Sequence, residues 1–394
     1  MTILFFDWKS YGKEHIVKAL EELGHKVDRV SFDHEKDNDD LSYEGKAVQL
    51  LSYNYYDMVF SSNYFPTIAK ACHENRVIYI SWLYDSPFTP VWDATAYYPE
   101  CYIFSFDQKQ CEGLKKEGIR QVYYMPLAAE AEVLDGIQAT EEQIERFQGD
   151  VSFVGSLYDK KSGTEKILKN ADLDFLRGYG DAVIDAQTKV QGANFLEEVL
   201  EPEDINILIK NMNFKNQTHG SMVTKTMIYA NYFLAQAVTF KERTQMVKSV
   251  SDRFNMTIYS HSKTNRYKKI VNKGFVDYYF EMPLVFRYSK INLNMTLRSI
   301  QTGIPLRAWD IMASGGFLLT NYQADFLKHF EPGVDFDYFV NEEDMLNKIE
   351  YYLKNEEERI QIAKNGYEKV KKYHSYKLRL QDMFQIVEEG EGWK

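Results

Sequence analysis

The stretch from Ile291 to Asn321, INLNMTLRSIQTGIPLRAWDIMASGGFLLTN, constrains the fold more than any other part of the chain. Apolar residues alternating with Asn open it as a strand. A polar loop with Arg298 and Arg307 follows, and then a short helix holding Asp310. The Ser314-Gly315-Gly316 turn leads into a second buried strand, Phe317–Thr320. Such a strand–loop–helix–Gly–strand unit brings backbone N–H groups and cations to a place where a phosphate can sit. It points to a nucleotide-linked ligand in the C-terminal half.

The same alternation fills the first 130 residues. Ile3–Asp7, Val27–Phe32, Met58–Ser62, Val77–Trp82, Tyr102–Phe106 and Val122–Met125 read as short strands with helical patterns between most of them. His15–Leu23 has apolar residues at helical spacing, and Gly24 follows as a C′ glycine. The acidic stretch Asp33–Asp40 reads as a solvated loop. This βαβα order implies a parallel sheet with helices on both faces. Leu127–Asp150 is polar and Glu-rich, with one helix at Glu141–Phe147, and reads as an interdomain connection.

A second sheet starts at Val151–Val154. Residues 160–250 are mainly helical in pattern, with helices expected at Ala193–Leu200, Glu203–Asn211 and Ser221–Gln236. The remaining strands are Met256–Ser260, Gly274–Tyr278, Ile291–Asn294, Phe317–Thr320 and Phe336–Phe339. Asn341 and Asp344 mark a helix start before Met345–Lys354, and Ser375 caps a last helix. One core seldom grows to 394 residues, so two domains are expected. The expected fold is α/β: two doubly wound Rossmann-like domains facing a cleft, with a helical insertion in the second. Ligands of such sheets bind beyond the carboxyl ends of the strands.

Composition narrows the partners. The net charge of −11 disfavours nucleic acid and anionic membranes, so phosphate binding must rely on a few local cations and amides. Cys72, Cys101 and Cys111 lack metal-ligand spacing, and their odd number disfavours a disulfide framework. A reduced, cytoplasmic chain is expected. The start, MTILFFDW, reads as a strand rather than a signal peptide. No apolar run approaches the ~20 residues of a spanning helix, so any membrane association would be peripheral. The eight histidines show no metal-site spacing, and GxSxG and P-loop motifs are absent.

Three places can carry chemistry. Val151-Ser-Phe-Val-Gly155-Ser156 is a strand ending in Gly, followed by Lys160 and Lys161. It either lets a phosphate approach the backbone or forms a tight turn with solvated lysines. Arg307 can grip a phosphate, and Asp310 can accept ribose hydroxyls; alternatively the two form a surface pair at i,i+3. Ser314-Gly315-Gly316 can equally be a plain helix C-cap. Asp85, in Ser81-Trp-Leu-Tyr-Asp-Ser-Pro87, either takes a proton from an acceptor hydroxyl or stabilises its own turn.

These segments resemble CgeB-like (spore-maturation-type) glycosyltransferases. The resemblance lies in Ile291-Asn-Leu-Asn294, Gly303, Arg307-Ala-Trp-Asp310, Ala313–Thr320, Val151–Ser156 and Lys369–Arg379. In the first half, Asn63–Pro66, Tyr79–Trp82, Asp85-Ser-Pro87 and Phe104–Asp107 are similar to the domain often fused to that family. The resemblance implies GT-B architecture. Residues 1–145 would form the acceptor-side domain, with a helix from 376–394 crossing back to it. Residues 150–375 would bind the donor.

It also implies metal-independent transfer, without a cofactor, of a sugar from a nucleotide-diphosphate sugar, with UDP-sugar the expected donor. Gly155, Ser156, Lys160, Asn294, Arg298, Arg307, Asp310, Ser314, Gly315 and Gly316 become candidate donor-binding residues, and Asp85 the candidate base. The family usually has Glu where Asp310 stands. The Glu that related retaining enzymes carry before the loop glycine is missing, with Gln301 and Thr302 nearby. The acceptor can be a glycan, protein, lipid-linked precursor or small molecule. A nucleotide-sugar epimerase and a catalytically degenerate binding protein are the alternatives.

Overall fold

A computed structural model of the chain describes residues 1–8, 10–31, 40–159, 174–201, 203, 205–207, 220–264, 267 and 269–390. The chain divides into two compact units. Unit 1 comprises Met1–Ala129, Gln217–Val223 and Tyr373–Lys394; unit 2 comprises Glu130–Asn216 and Thr224–Lys372.

Unit 1 is built on six parallel strands: β1 (Thr2–Asp7), β2 (Lys26–Ser31), β3 (Met58–Ser62), β4 (Ile78–Leu83), β5 (Cys101–Ser105) and β6 (Val122–Tyr124). Their order is β2-β1-β3-β4-β5-β6. The central strands β3, β4 and β5 are buried at every position, as a sheet covered on both faces requires. Edge strand β2 has no fully buried residue and carries Lys26, Asp28 and Arg29. The helix Lys13–Glu22 ends with Gly24 at φ 86°, and the His25 N–H returns to the Leu20 carbonyl. The last helix, Tyr376–Glu389, starts on a Ser375 cap and buries Tyr376, Leu380, Met383 and Val387. Within unit 1 it meets the first helix through His15 and Tyr376, whose rings lie 5.7 Å apart. Arg379, from the last family-like segment, is buried and donates to the Pro126 carbonyl at 3.1 Å.

Unit 2 carries β7 (Gly149–Val154), β8 (Met256–Tyr259), β9 (Val271–Asn272), β10 (Ser289–Asn294), β11 (Leu318–Asn321) and β12 (Asp337–Phe339). All pairs are parallel, and the order is β12-β11-β10-β7-β8-β9. Val151, Ile258, Ile291 and Leu319 form the core of this sheet with Ile349 and Ile362 from the C-terminal helices. Between β7 and β8 lies the helical insertion. Its described part includes Asp174–Thr188 and a long helix running from Lys225 to Arg253, interrupted by one π-helical segment at Tyr229–Leu234. Tyr229, Leu234 and Val238 pack with Val183 and Leu196 in a separate apolar cluster.

Three sequence expectations change. Ala193–Leu200 is turn rather than helix, because side chains occupy its backbone groups. Gln187 bonds the Ala193 carbonyl and the Phe195 N–H, and Asn194 accepts from the Leu196 N–H. Gly274–Tyr278 is loop, and the strand of this region is Val271–Asn272. Asn272 accepts from the Gly274 N–H, and Asp277 accepts from the Tyr279 and Phe280 N–H groups. The helix expected from Ser221 begins after Thr224, since Met222 bonds the Trp92 carbonyl in unit 1. Most of Glu203–Asn211 and nearly all of Asp33–Asp40 lie outside the described residues. Among the described residues no helix is long and apolar enough to cross a membrane, and no group of three His, Cys, Asp or Glu could hold a metal ion.

Candidate functional site

In unit 2 the chain builds β7, β8 and β9 outward and then returns to the other side of β7 with β10. The reversal leaves a crevice between the loops that follow β7 and β10, where ligands of such sheets bind. The first loop is Gly155-Ser156-Leu157. A Cβ on Gly155 would stand 3.3 Å from the Phe153 ring, so glycine lets that ring and the loop pack closely. The loop's amides are largely committed inside the unit. Gly155 N–H donates to Tyr259 O at 3.1 Å, Leu157 N–H to Ser262 Oγ at 2.9 Å, and Tyr158 N–H to Ser156 Oγ at 2.9 Å. Positive charge at this crevice therefore comes from side chains.

Arg243 is the central one, and the sequence reading missed it. It stands in the Ala235–Arg253 helix, in no motif that marks it. Its guanidinium donates to the Ser156 carbonyl at 2.6 Å and to the Met295 carbonyl, so one side chain joins both crevice loops. It also lies 5.1 Å from the Tyr158 ring centroid and 5.5 Å from that of Phe153. Its Nε is shielded from solvent and has no hydrogen-bond partner. Burial pulls its pKa down, partly offset by Tyr158 and Glu242. A small cavity opens beside it, lined by Gln191, Glu242, Met246, Met295, Thr296 and Asn321. Only its position in the tertiary structure reveals it; a lone Arg in an amphipathic helix reads as solvated.

Arg298 is buried in the second loop and pairs with Glu242 at 2.5 Å. Its Nε, like that of Arg243, lacks a partner. Burial raises the Glu242 pKa while Arg298 lowers it. The charge of Arg298 is thus largely spent inside the protein. Asn294 is satisfied within the sheet, donating to Thr296 Oγ1 at 3.2 Å and Thr320 Oγ1 at 2.9 Å.

Arg307 occupies the first turn of the Leu306–Ala313 helix, whose N-cap is Pro305 and supplies no side-chain acceptor. Arg307 is a quarter exposed (25%), contacts Met282 Sδ and lies 5.7 Å from the Phe286 ring centroid. Asp310 is 3.6 Å from it, so the i,i+3 pair exists. The pair is not superficial, because Asp310 is only 6% exposed. Asp310 Oδ1 accepts from the Tyr278 hydroxyl at 3.0 Å, and Oδ2 accepts no hydrogen bond. Burial pushes its pKa up to about 6, against the lowering effects of Arg307 and Tyr278.

The Ser314-Gly315-Gly316 turn does not join this group. It precedes β11 and so lies at the amino ends of the parallel strands, whereas Gly155 and Arg298 follow carboxyl ends. Its amides close the helix: Gly315 N–H donates to Met312 O and Gly316 N–H to Ile311 O, with Gly315 at φ 78°. Ser314 Oγ bonds the Asp310 carbonyl at 2.7 Å. The plain C-cap reading accounts for all three residues, and their assignment to a phosphate site is corrected on that ground. Lys160 and Lys161 lie outside the described residues.

In unit 1, Asp85 follows β4. Asn63, at φ 65° after β3, donates to Asp85 Oδ2 at 2.8 Å and accepts from the Tyr84 and Asp85 N–H groups. The turn is thus held from a neighbouring loop rather than by Asp85 itself. Asp85 is exposed, yet the protein atoms crowded around it raise its pKa, opposed by Asn63.

Residues 241–385 match the model of a family described as glycosyl transferase-like, a span well under half of the chain. No curated protein matches the sequence. Among solved structures, a glycosyltransferase from Rickettsia africae is similar at 12% identity and TM-score 0.56, over 99% of this chain and 98% of that one. HepE from Anabaena, solved with UDP-glucose, is similar at 12% identity and TM-score 0.56, over 99% and 100%. Sucrose-phosphate synthase from Thermosynechococcus elongatus follows at 10% identity and TM-score 0.53, over 99% and 98%. The fold is that of GT-B glycosyltransferases, with two Rossmann-like domains.

Proposed function

We propose that this chain is a glycosyltransferase that moves a sugar from a nucleotide-diphosphate sugar, a UDP-sugar in the first instance, to an acceptor hydroxyl. The observation that carries the reading is the crevice between β7 and β10, where Arg243 bridges two loops and keeps a buried, unpartnered Nε. The match of residues 241–385 to the glycosyl transferase-like family and the UDP-glucose complex of a GT-B neighbour support it. Kinship with CgeB-like enzymes in particular rests on the sequence motifs alone.

Sugar transfer builds positive charge at the anomeric carbon and negative charge on the departing diphosphate. Preformed cations stabilise that charge without reorganising. In this reading Arg243 and Arg307 take the diphosphate, Arg298 fixes the loop between them, and Asp310 accepts from the ribose. These arginines do the work of a divalent ion, so transfer is metal-independent. Unit 2 holds the donor and unit 1 the acceptor, whose proton passes to Asp85.

The test is UDP release from UDP-sugars by the full chain, with products identified by NMR, in the presence and absence of EDTA. Turnover that survives EDTA and collapses in Asp85→Asn with UDP affinity intact is expected. A product epimerised at one carbon, with no new glycosidic bond, would replace transfer by epimerisation.

A further inference from the structure

Unit 1 has a switch point of its own. Its strand order places β3 on the opposite side of β1 from β2, which opens a crevice between the loops after β1 and β3. The chemistry there differs from that of unit 2. Trp8 follows β1, Phe65 follows β3 and Phe88 follows β4, and these three strands are neighbours. The Trp8 and Phe65 rings lie 5.4 Å apart, and those of Phe65 and Phe88 6.4 Å apart. Tyr11, in the β1 loop, is 54% exposed. Rings from three separate loops thus meet over the carboxyl ends of adjacent strands.

Three carboxylates stand at this edge. Asp7 ends β1, Asp85 follows β4 and Asp107 follows β5. Among the described residues of the β1 and β2 ends, Lys13 pairs with Asp7 at 2.5 Å, and Arg29 pairs with Asp7 at 2.6 Å and Glu14 at 2.8 Å. Among the described residues the cations beside Asp7 are already engaged, and a phosphorylated or carboxylated ligand would meet the exposed Asp85 carboxylate as a like charge. A neutral ligand rich in hydroxyls carries no charge for that carboxylate to repel. It could donate hydrogen bonds to Asp85, and its C–H faces could lie on aromatic rings, which bury apolar faces while tolerating polar rims.

We propose that this edge of unit 1 is an acceptor subsite for an uncharged saccharide, stacked on Trp8 and Tyr11 and hydrogen-bonded at Asp85. The inference rests on the glycosyltransferase reading and names the substrate class for the acceptor side. The chain carries two switch-point crevices of opposite character, one cationic for a diphosphate and one aromatic and acidic for a sugar.

The experiment uses the full chain and two separate titrations. UDP binding, followed by calorimetry, tests the donor reading. Binding of maltotriose, cellotriose, mannotriose and glucose 6-phosphate, followed by tryptophan fluorescence and saturation-transfer NMR, tests the subsite. At least one neutral trisaccharide is expected to bind more tightly than glucose 6-phosphate. Trp8→Ala should weaken it by about tenfold or more, Trp8→Phe should retain most of the affinity, and neither should alter UDP affinity. Tyr11→Ala, at an exposed ring, should weaken it without a change in melting temperature. UDP binding with no trisaccharide bound, tighter binding of glucose 6-phosphate, or unchanged saccharide affinity in both alanine variants would overturn the subsite. Saccharide binding without UDP binding would uphold a carbohydrate site and overturn the donor reading instead.

Discussion

Asp310 shows how burial of one carboxyl can oppose stability at neutral pH. Its folded pKa of about 6 lies above the ordinary 3.8 because burial disfavours the carboxylate. A raised carboxyl pKa stabilises the folded state below the unfolded value, and that contribution is lost as pH climbs through the folded value. Asparagine imitates the protonated form and can still accept from Tyr278. Asp310→Asn should therefore match the wild type near pH 4 and exceed it near pH 8, by on the order of 1–3 kcal/mol. Denaturant melts at the two pH values check this, and equal gains at both would discard burial as the cause. If the carboxylate serves ribose, the stabilised variant binds UDP less well. Arg243 gives a second test at this scale. Arg243→Gln should lower UDP affinity about 10- to 150-fold, the effect of one charge-assisted bond, while leaving the weak affinity for uridine unchanged. Parallel losses for nucleoside and nucleotide would mean that Arg243 only holds its loops together.

At the scale of elements, the Leu306–Ala313 helix separates what the sequence reveals from what it hides. Its polar loop, helix, Gly-Gly turn and buried strand were all legible, because strand and helix periods and a C′ glycine are local signals. Which edge of the sheet each end faces is set by topology rather than by a local signal. In a parallel βαβ unit the helix start and helix end lie at opposite edges, so Arg307 and Gly315 cannot share one ligand. Gly316 has a packing reason instead. A Cβ there would stand 2.6 Å from Asn292 Nδ2 and 2.7 Å from the Phe286 carbonyl. Asn292 also accepts from Ser152 Oγ at 2.7 Å, which ties β10 to β7. Gly316→Ala should cost about 1–3 kcal/mol of stability, as overpacking does, with the UDP affinity of the folded protein unchanged. Calorimetric melting with a parallel UDP titration decides it, and a selective loss of UDP binding would restore the turn to the donor site. The sheets read well for the same local reason, since β3, β4 and β5 are buried runs bounded by polar turns. Val271–Asn272 was missed because two residues carry no period. Arg243 was missed because its meaning lies in carbonyls 87 and 52 residues away.

At the scale of the whole molecule, the net charge of −11 acts on the ligand before any contact forms. UDP is an anion, and an acidic protein repels it at distances where individual arginines are not resolved. Salt shortens that reach, from roughly 30 Å at 0.01 M to about 8 Å at 0.15 M. The contacts proposed for UDP at Arg243 and Asp310 lie in protein, where screening is weaker. Raising ionic strength over this range should therefore speed association, because it removes long-range repulsion while leaving the site's own cations effective once UDP is near. Dissociation should change less, so affinity should rise modestly with salt. The opposite view is that the crevice focuses its local positive field far enough to steer UDP inward, as strongly cationic sites do, and then salt slows association. Stopped-flow measurement of UDP binding across this range separates the two. Faster association with salt would mean that the acidic surface governs the encounter and the arginines only the grip. A rate that falls steeply with salt would show the crevice overriding the net charge, and would discard the whole-molecule account.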